Sequence, residues 1–194
     1  MTDDVVAAVR AHLTAQFGGL EPAAASVTFL GLEPIDILRF PHDGTVVRYA
    51  SLGCSRHPMG EPGDMIADNT HGPRAELVLT LRSDVGADSG IHRTLAVLAA
   101  APAVEGIVLL PDALIDLGEP LWRNSAFTAV LLDHAAIDEL PLPEPAEPVK
   151  FFQVTPLTQT EAAWVRLRGA AALREAWAEA AIDTADPNRL AATL

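Results

Sequence analysis

Cys54 and His57 are the residues whose types and spacing could do chemistry, since they lie three positions apart after an apolar segment. A cysteine beside a histidine base is the nucleophile of many hydrolases and transferases. This spacing does not guarantee that the two side chains touch, and a lone cysteine after an apolar strand is commonly a small core residue. A small cysteine-dependent hydrolase or transferase is therefore one hypothesis for the chain.

A loop at residues 55–72 holds the polar residues that could bind a metal ion. Its candidate ligands are Asp64, Asp68, Asn69 and His71. Their spacing does not match an EF-hand, and Asp and Asn populate exposed turns for backbone reasons alone. The motifs of serine hydrolases, phosphate-binding loops and zinc proteases do not occur in the chain. We expect no metal, no other cofactor and no enzymatic activity.

The composition favours one folded domain over residues 1–194, with 49% hydrophobic residues to build a core. The net charge of −13 repels phosphate backbones and anionic lipid, so we expect no direct nucleic-acid binding. No segment reaches the roughly 18 apolar residues of a membrane helix. Acidic residues follow Met1, and the single cysteine can form no internal disulfide. These features favour a cytoplasmic protein without a membrane partner.

The elements that position the candidate site follow from the spacing of apolar residues. Val6, Val9, Leu13 and Phe17 recur at helical spacing and predict a helix over 3–17. Alternating and β-branched segments predict strands at residues 26–30, 35–40, 45–52 and 74–82. An Asp-Gly pair at 43–44 predicts that the second and third strands form an antiparallel hairpin.

The second half of the chain predicts further helices and strands. A helix begins after Ser89 and ends near Pro102. Strands are expected at 127–132 and 150–155, with an exposed proline-rich loop at 140–148 between them. Thr158 and Glu161 match a capping box, and the helical segment that they open is expected to bury Trp164, Leu167, Leu173 and Trp177. Strands in runs between helices predict an α+β fold, with a mostly antiparallel or mixed sheet packed with N-terminal, central and C-terminal helices.

Three blocks of the sequence resemble the suppressor-of-fused domain. They are Val47–Met59, Arg74–Leu81 and Phe152–Glu161, the last with Gly169 and Leu173 downstream. Their order and spacing agree with the family, and the resemblance covers about residues 25–180. It implies an α/β sandwich without catalytic function that binds another protein. Bacterial relatives of this single-domain type are proposed as immunity proteins that neutralise toxins, often nucleases.

The resemblance and the acidic charge together predict a basic protein partner, such as a toxin or a regulatory protein. The predicted contact residues lie in the loop after Gly53 and at the start of the strand at 74: Ser55, Arg56, His57, Pro58, Met59, Asp64, Asp68, Arg74 and Glu76. Animal members carry a peptide-binding tyrosine where Pro58 stands, so their peptide specificity does not transfer. Arg74 and Glu76 also fit an ordinary exposed pair on one strand face. A scaffold without a regulated partner is a third hypothesis, and the sequence leaves the oligomeric state open.

Overall fold

The computed structural model describes residues 2–42, 46–60 and 70–193. Its helices are α1 (Thr2–Gln16), α2 (Ile91–Glu105), α3 (Gln159–Arg168) and α4 (Ala170–Glu179), with short 3-10 turns at Cys54–Arg56 and Ala87–Ser89. Its strands are β1 (Ala23–Val27), β2 (Ile35–His42), β3 (Val46–Leu52), β4 (Arg74–Leu81), β5 (Leu114–Asp116), β6 (Phe127–His134) and β7 (Val149–Thr158). None of these helices is long and apolar enough to cross a membrane.

The strands form one seven-stranded sheet in the order β1-β2-β3-β4-β7-β6-β5. Strands β4 and β7 run parallel, and the other neighbouring pairs are antiparallel. The sheet is therefore mixed, which confirms the predicted α+β class. The hairpin is confirmed by the register of β2 against β3, in which Pro41 pairs with Val47, while its turn at 43–45 lies outside the described residues.

Helices cover both faces of the sheet, and the alternation of side chains along each strand divides the core accordingly. On β4, Leu77 and Leu79 pack in the cluster beneath α2, whereas Val78 points to the opposite face and packs beneath α1. The second face carries α1 over β2, β3 and β4, and it carries α3 and α4 over β6 and the end of β7. Because both faces are covered, β4 is buried at every position except Thr80, which is partly buried.

Three predicted boundaries differ from the structure. The first strand lies at Ala23–Val27, earlier than predicted, where it pairs with β2. Helix α2 continues through Pro102 to Glu105 and ends at Gly106, whose N–H donates to the Pro102 carbonyl at 3.0 Å. Proline removes one donor from the helix, but burial of α2 against the sheet outweighs that loss. The N-cap is Gly90, and Ser89 lies in the preceding 3-10 turn.

The C-terminal helical segment also differs from its prediction. The capping box is confirmed, since Thr158 and Glu161 exchange both of its hydrogen bonds. Leu173 and Trp177 are buried as predicted, but Leu167 is 79% exposed and Trp164 is only partly buried. Gly169, with φ of 86°, ends α3 and begins α4, so the two helices do not share one continuous apolar stripe. The residues of α3 that face the protein core are instead Ala162 and Val165.

A buried ion pair fixes the end of the chain against this core. Arg189 donates to both carboxylate oxygens of Glu161, at 2.7 and 3.1 Å, and to the Pro156 carbonyl at 2.7 Å. Its guanidinium also lies over the rings of Phe127 and Trp177. Since the side chains of Arg189 and Glu161 are 4% and 0% exposed, the pair is shielded from water and salt.

Candidate functional site

Glu76 is fully buried at 0% exposure on β4 and accepts four hydrogen bonds, one from the end of β3 and three from the segment that follows it. The N–H groups of Gly53 and Ser55 donate to it at 2.9 and 3.0 Å, and the Ser55 hydroxyl donates at 2.6 Å. The Ser51 hydroxyl donates to the other carboxylate oxygen and accepts from the Leu77 N–H at 2.8 Å. Such charge-assisted bonds hold the segment 51–55 in one conformation.

Arg74, at the start of β4, holds the next part of the same loop. Its guanidinium donates to the carbonyl oxygens of Ser55 and Arg56, both at 2.8 Å. Burial lowers the pKa of Arg74, against the opposing effect of the nearby Glu147 carboxylate. Glu76 therefore accepts from backbone N–H groups of this loop, and Arg74 donates to its backbone carbonyl groups. We call these two side chains the loop clamp.

Gly53 is the first residue of the loop 53–60, which we call the clamped loop. Its φ of 124° is a conformation that side chains rarely adopt, and a Cβ there would lie 3.3 Å from the Pro34 carbonyl oxygen. Only glycine combines this backbone angle with the close approach of residues 34–35. The glycine in the block is thus required by geometry, and it brings the loop 53–60 beside the loop 31–35.

The surface of the clamped loop borders a cleft of about 270 Å³. The cleft lies between residues 31–35, residues 53–59 and the C-terminal part of α2, and its walls are mainly apolar. Exposed apolar residues flank it, since Leu30 is 106% exposed and Val104 is 63% exposed. The combination of a rigid loop, an apolar cleft and exposed apolar neighbours is typical of a protein contact surface.

Glu33 places a carboxylate at the edge of the cleft, where two basic side chains pair with it. Its carboxylate pairs with His57 Nε2 at 2.8 Å and with the Arg56 guanidinium at 3.6 Å. The hydrogen bond from His57 is the main reason why the pKa of Glu33 is lowered. Sequence analysis missed Glu33, because nothing in its local pattern shows that the loop 31–35 folds against the loop 53–60.

A second acidic segment lies at the same end of the sheet. It comprises the proline-rich loop 140–148 before β7 and the two residues that precede this loop, and its exposed acidic residues are Asp138, Glu139, Glu144 and Glu147. Val149 at the start of β7 pairs with Arg74 at the start of β4, which places this loop next to the loop clamp. Lys150 is 4.0 Å from Glu139, and Glu147 lies near the Arg74 guanidinium, so two of these charges have a basic neighbour. Several exposed carboxylates therefore lie at the end of the molecule that bears the clamped loop.

The structure separates the predicted contact residues into three groups. Ser55, Met59, Arg74 and Glu76 are buried, so we assign them to holding the loop and not to a contact surface. Met59, for example, packs in the core and its sulfur accepts from the Leu109 N–H at 3.4 Å. Arg56 and Pro58 are partly buried and His57 is exposed, and all three line the cleft. Asp64 and Asp68 lie outside the described residues.

Cys54 and His57 both border the cleft, but their surroundings differ from those of an activated pair. His57 pairs with Glu33, while burial, with a smaller effect of the Glu76 carboxylate, raises the pKa of the Cys54 thiol well above its usual range. A raised pKa keeps the thiol protonated at neutral pH, and the thiolate is the nucleophilic form. In the parts of the chain that the structure describes, no three metal-binding side chains cluster, and Asp64, Asp68 and Asn69 fall outside them.

We expect Cys54 to react slowly with Ellman's reagent at pH 7.5 in the folded protein. The rate constant should be at least about tenfold below that of free cysteine, because the thiolate fraction is small and the sulfur is partly covered. In 8 M urea, used as the control, the rate should rise to that of an exposed thiol. A folded-state rate above that of free cysteine would show an activated thiol and contradict this assignment.

The arrangement defines an α+β sandwich in which two buried polar side chains hold a surface loop beside a cleft. The family model for suppressor of fused protein (SUFU) matches residues 31–190, and the chain belongs to this family. A search of curated protein sequences finds no match. The match covers all three blocks on which the resemblance rests, and the hydrogen bonds of the loop clamp join the first two of them in space.

Solved structures share the fold. A suppressor-of-fused homologue from Neisseria gonorrhoeae is 22% identical with a TM-score of 0.66, and the alignment covers 98% of each chain. A chain of the Sufu–Fu complex is 17% identical with a TM-score of 0.66, with 96% of this chain and 91% of that chain covered. Drosophila Suppressor of Fused is 16% identical with a TM-score of 0.57, and the alignment covers 81% of this chain and 42% of that one.

Proposed function

We propose that this chain is a non-enzymatic protein-binding module whose contact surface is the clamped loop 53–60 together with its cleft. The observation that carries the proposal is the loop clamp. Its two buried charged side chains hold a surface loop in a fixed position next to an apolar cleft. Membership of the suppressor-of-fused family supports it, since the Sufu–Fu complex contains a relative of this fold.

The proposed partner is basic. Glu33 borders the cleft, and the exposed residues Asp138, Glu139, Glu144 and Glu147 lie at the same end of the sheet. The net charge of −13 adds a long-range attraction for a cationic surface. A nuclease toxin presents such a surface, so we propose an immunity protein acting in the cytoplasm as the particular role. Asp64 and Asp68 remain proposed contacts on the same grounds.

We expect Glu33→Lys to slow association with the partner by at least about tenfold, since the change reverses a charge at the cleft. The partner is first captured from a lysate of the native host with the wild-type chain, and its binding kinetics are then measured by surface plasmon resonance. Glu119→Lys is the matched control, because Glu119 is exposed beyond β5, away from the clamped loop. It makes the same charge change elsewhere.

The salt dependence of the binding rates distinguishes long-range electrostatic attraction from direct contact in the complex. Association with the wild-type chain should slow as ionic strength rises through about 0.15 M, where the Debye length is about 8 Å, while dissociation changes less. If Glu33→Lys and Glu119→Lys bind alike, the contact surface lies elsewhere. If salt leaves association unchanged, the partner is not recruited by charge.

The alternative function is a cysteine-dependent enzyme, and Cys54→Ser distinguishes the two. A binding module should keep its partner affinity within about twofold, because serine is nearly isosteric with cysteine at this position. An enzyme that uses Cys54 as nucleophile would lose turnover of whatever substrate it processes. The protonated thiol and the pairing of His57 with Glu33 favour the binding module.

A further inference from the structure

The groove between α3 and α4 is a second surface, on a different part of the molecule from the clamped loop. It has a volume of about 440 Å³. Its floor is made by the small residues Ala172 and Ala176 of α4, and its sides carry Trp164, Arg168, Glu175 and Glu179. These helices pack on β6 and the end of β7, whereas the clamped loop follows β3.

Trp164 lacks a partner for its polar atom. The indole Nε1 of Trp164 is buried and, in the part of the chain that the structure describes, donates to no acceptor. Buried donors are rarely left unpaired, because each costs free energy of desolvation. The Arg168 guanidinium lies 5.3 Å from the centre of the Trp164 ring, which covers the ring face but supplies no acceptor. The groove therefore contains one buried donor without an acceptor in the described part of the chain.

Leu167 projects from α3 beside this groove. It follows Trp164 by three residues, so the two lie on neighbouring positions of one helix face. With 79% of its surface exposed, Leu167 is a large apolar side chain that no residue in the described part of the chain covers. The same surface thus has an apolar projection next to a groove with a floor of alanine.

The charges on this surface are of both signs. Arg168 is exposed on one side of the groove, and Glu175 and Glu179 are exposed on the other. Among the described residues none of the three forms an ion pair, although several other arginines do, including Arg166 with Asp116 and Arg174 with Asp112. Complementary charges are therefore present on one surface without pairing with each other.

We propose that the α3–α4 surface is the contact of a homodimer with two-fold symmetry. In such an interface a residue of one copy contacts a different residue of the other copy, and the reverse contact also forms. The same surface must therefore carry both residues of every contacting pair. Leu167 of each copy enters the groove of the other, and Arg168 of each copy faces Glu175 and Glu179 of the other. A second copy fits better than a foreign protein, which would need only one half of each pair on this chain.

The first test is the molar mass of the full chain by sedimentation equilibrium from about 1 to 500 µM, the range of weak dimers. We expect a monomer–dimer equilibrium that Leu167→Glu weakens at least about tenfold, because it places a charge in an apolar contact. Val97→Glu is the matched control, since Val97 is 45% exposed on α2, which covers the other face of the sheet. A wild-type chain that stays monomeric, or equal weakening by both variants, overturns the proposal.

The second test uses the charges. We expect Arg168→Glu and the double variant Glu175→Arg with Glu179→Arg each to dimerise at least about tenfold more weakly, and an equimolar mixture of the two to recover dimers, because both pairs are restored in the mixed complex. The double variant also reduces the net negative charge. If that reduction strengthens its self-association, or if the mixture does not associate, the paired geometry is wrong. Circular dichroism of each variant verifies that the fold is retained.

Discussion

We expect Arg189→Ala to lower the free energy of unfolding by about 3–5 kcal/mol, because it leaves the Glu161 carboxylate buried without its cation. The same change removes a guanidinium that lies 4.9 Å from the centre of the Phe127 ring and 5.5 Å from that of Trp177. The measurement is urea unfolding followed by circular dichroism and by tryptophan fluorescence. Coincident transitions by the two probes justify a two-state analysis.

Arg166→Ala is the matched control for this change. Arg166 pairs with Asp116 at 2.5 Å, but the two side chains are 49% and 34% exposed, so the pair is solvated. Loss of such a pair costs at most about 1 kcal/mol. Equal losses for the two variants would contradict the buried pair.

The difference between wild type and Arg189→Ala should shrink in acid. Burial alone would raise the pKa of Glu161, but hydrogen bonds from Arg189, Trp177 and Thr158 outweigh it and lower the pKa below its usual value of 4.5. A carboxylate with a lowered pKa stabilises the fold above pH 4.5 and loses that contribution as the pH falls through the lowered value. Unfolding measured at pH 7 and in acid checks this dependence.

We expect Glu76→Ala to abolish partner binding and to lower the free energy of unfolding by at least about 3 kcal/mol, because four donors, three of them buried, lose their acceptor. Those donors belong to Ser51, Gly53 and Ser55, so the loop 53–60 loses the contacts that hold it. Stability is measured by urea unfolding and affinity by surface plasmon resonance. The affinity is taken well below the unfolding midpoint, so that a loss of binding is not caused by unfolding.

Glu76→Gln keeps the shape of the side chain, so it distinguishes an effect on the loop from an effect on the stability of the whole fold. An uncharged amide still accepts through one oxygen, but its NH₂ group replaces the oxygen that accepts from the Ser51 hydroxyl, so a smaller loss of about 1–3 kcal/mol is expected. Partner affinity should fall between those of wild type and Glu76→Ala. If Glu76→Ala binds its partner as wild type does, the clamped loop is not the contact surface.

Local patterns predicted much of the fold. The helix α1, the hairpin of β2 and β3 and the capping box of α3 each follow from residues close in sequence, and each is confirmed. Glu161 shows where this stops. Its capping role is visible three residues away at Thr158, but its pairing with Arg189 depends on how the end of the chain folds back.

The site was predicted less well, and β4 explains why. Alternation of Leu77, Leu79 and Leu81 indicates one buried face, so Arg74 and Glu76 on the other face were expected to be exposed. Because helices cover both faces of the sheet, Arg74 and Glu76 are buried. There they form hydrogen bonds with the loop 53–56. Whether a second layer covers a strand is a property of the whole fold, and no pattern within the strand reveals it.

Hydrogen–deuterium exchange of the chain with and without its captured partner tests most directly whether the clamped loop is the binding surface. We expect slower exchange on binding in residues 31–35 and 53–60, and unchanged exchange in β5 and in the segment 117–126. Protection confined to other segments, with residues 31–35 and 53–60 exchanging as in the free chain, would contradict the proposed function.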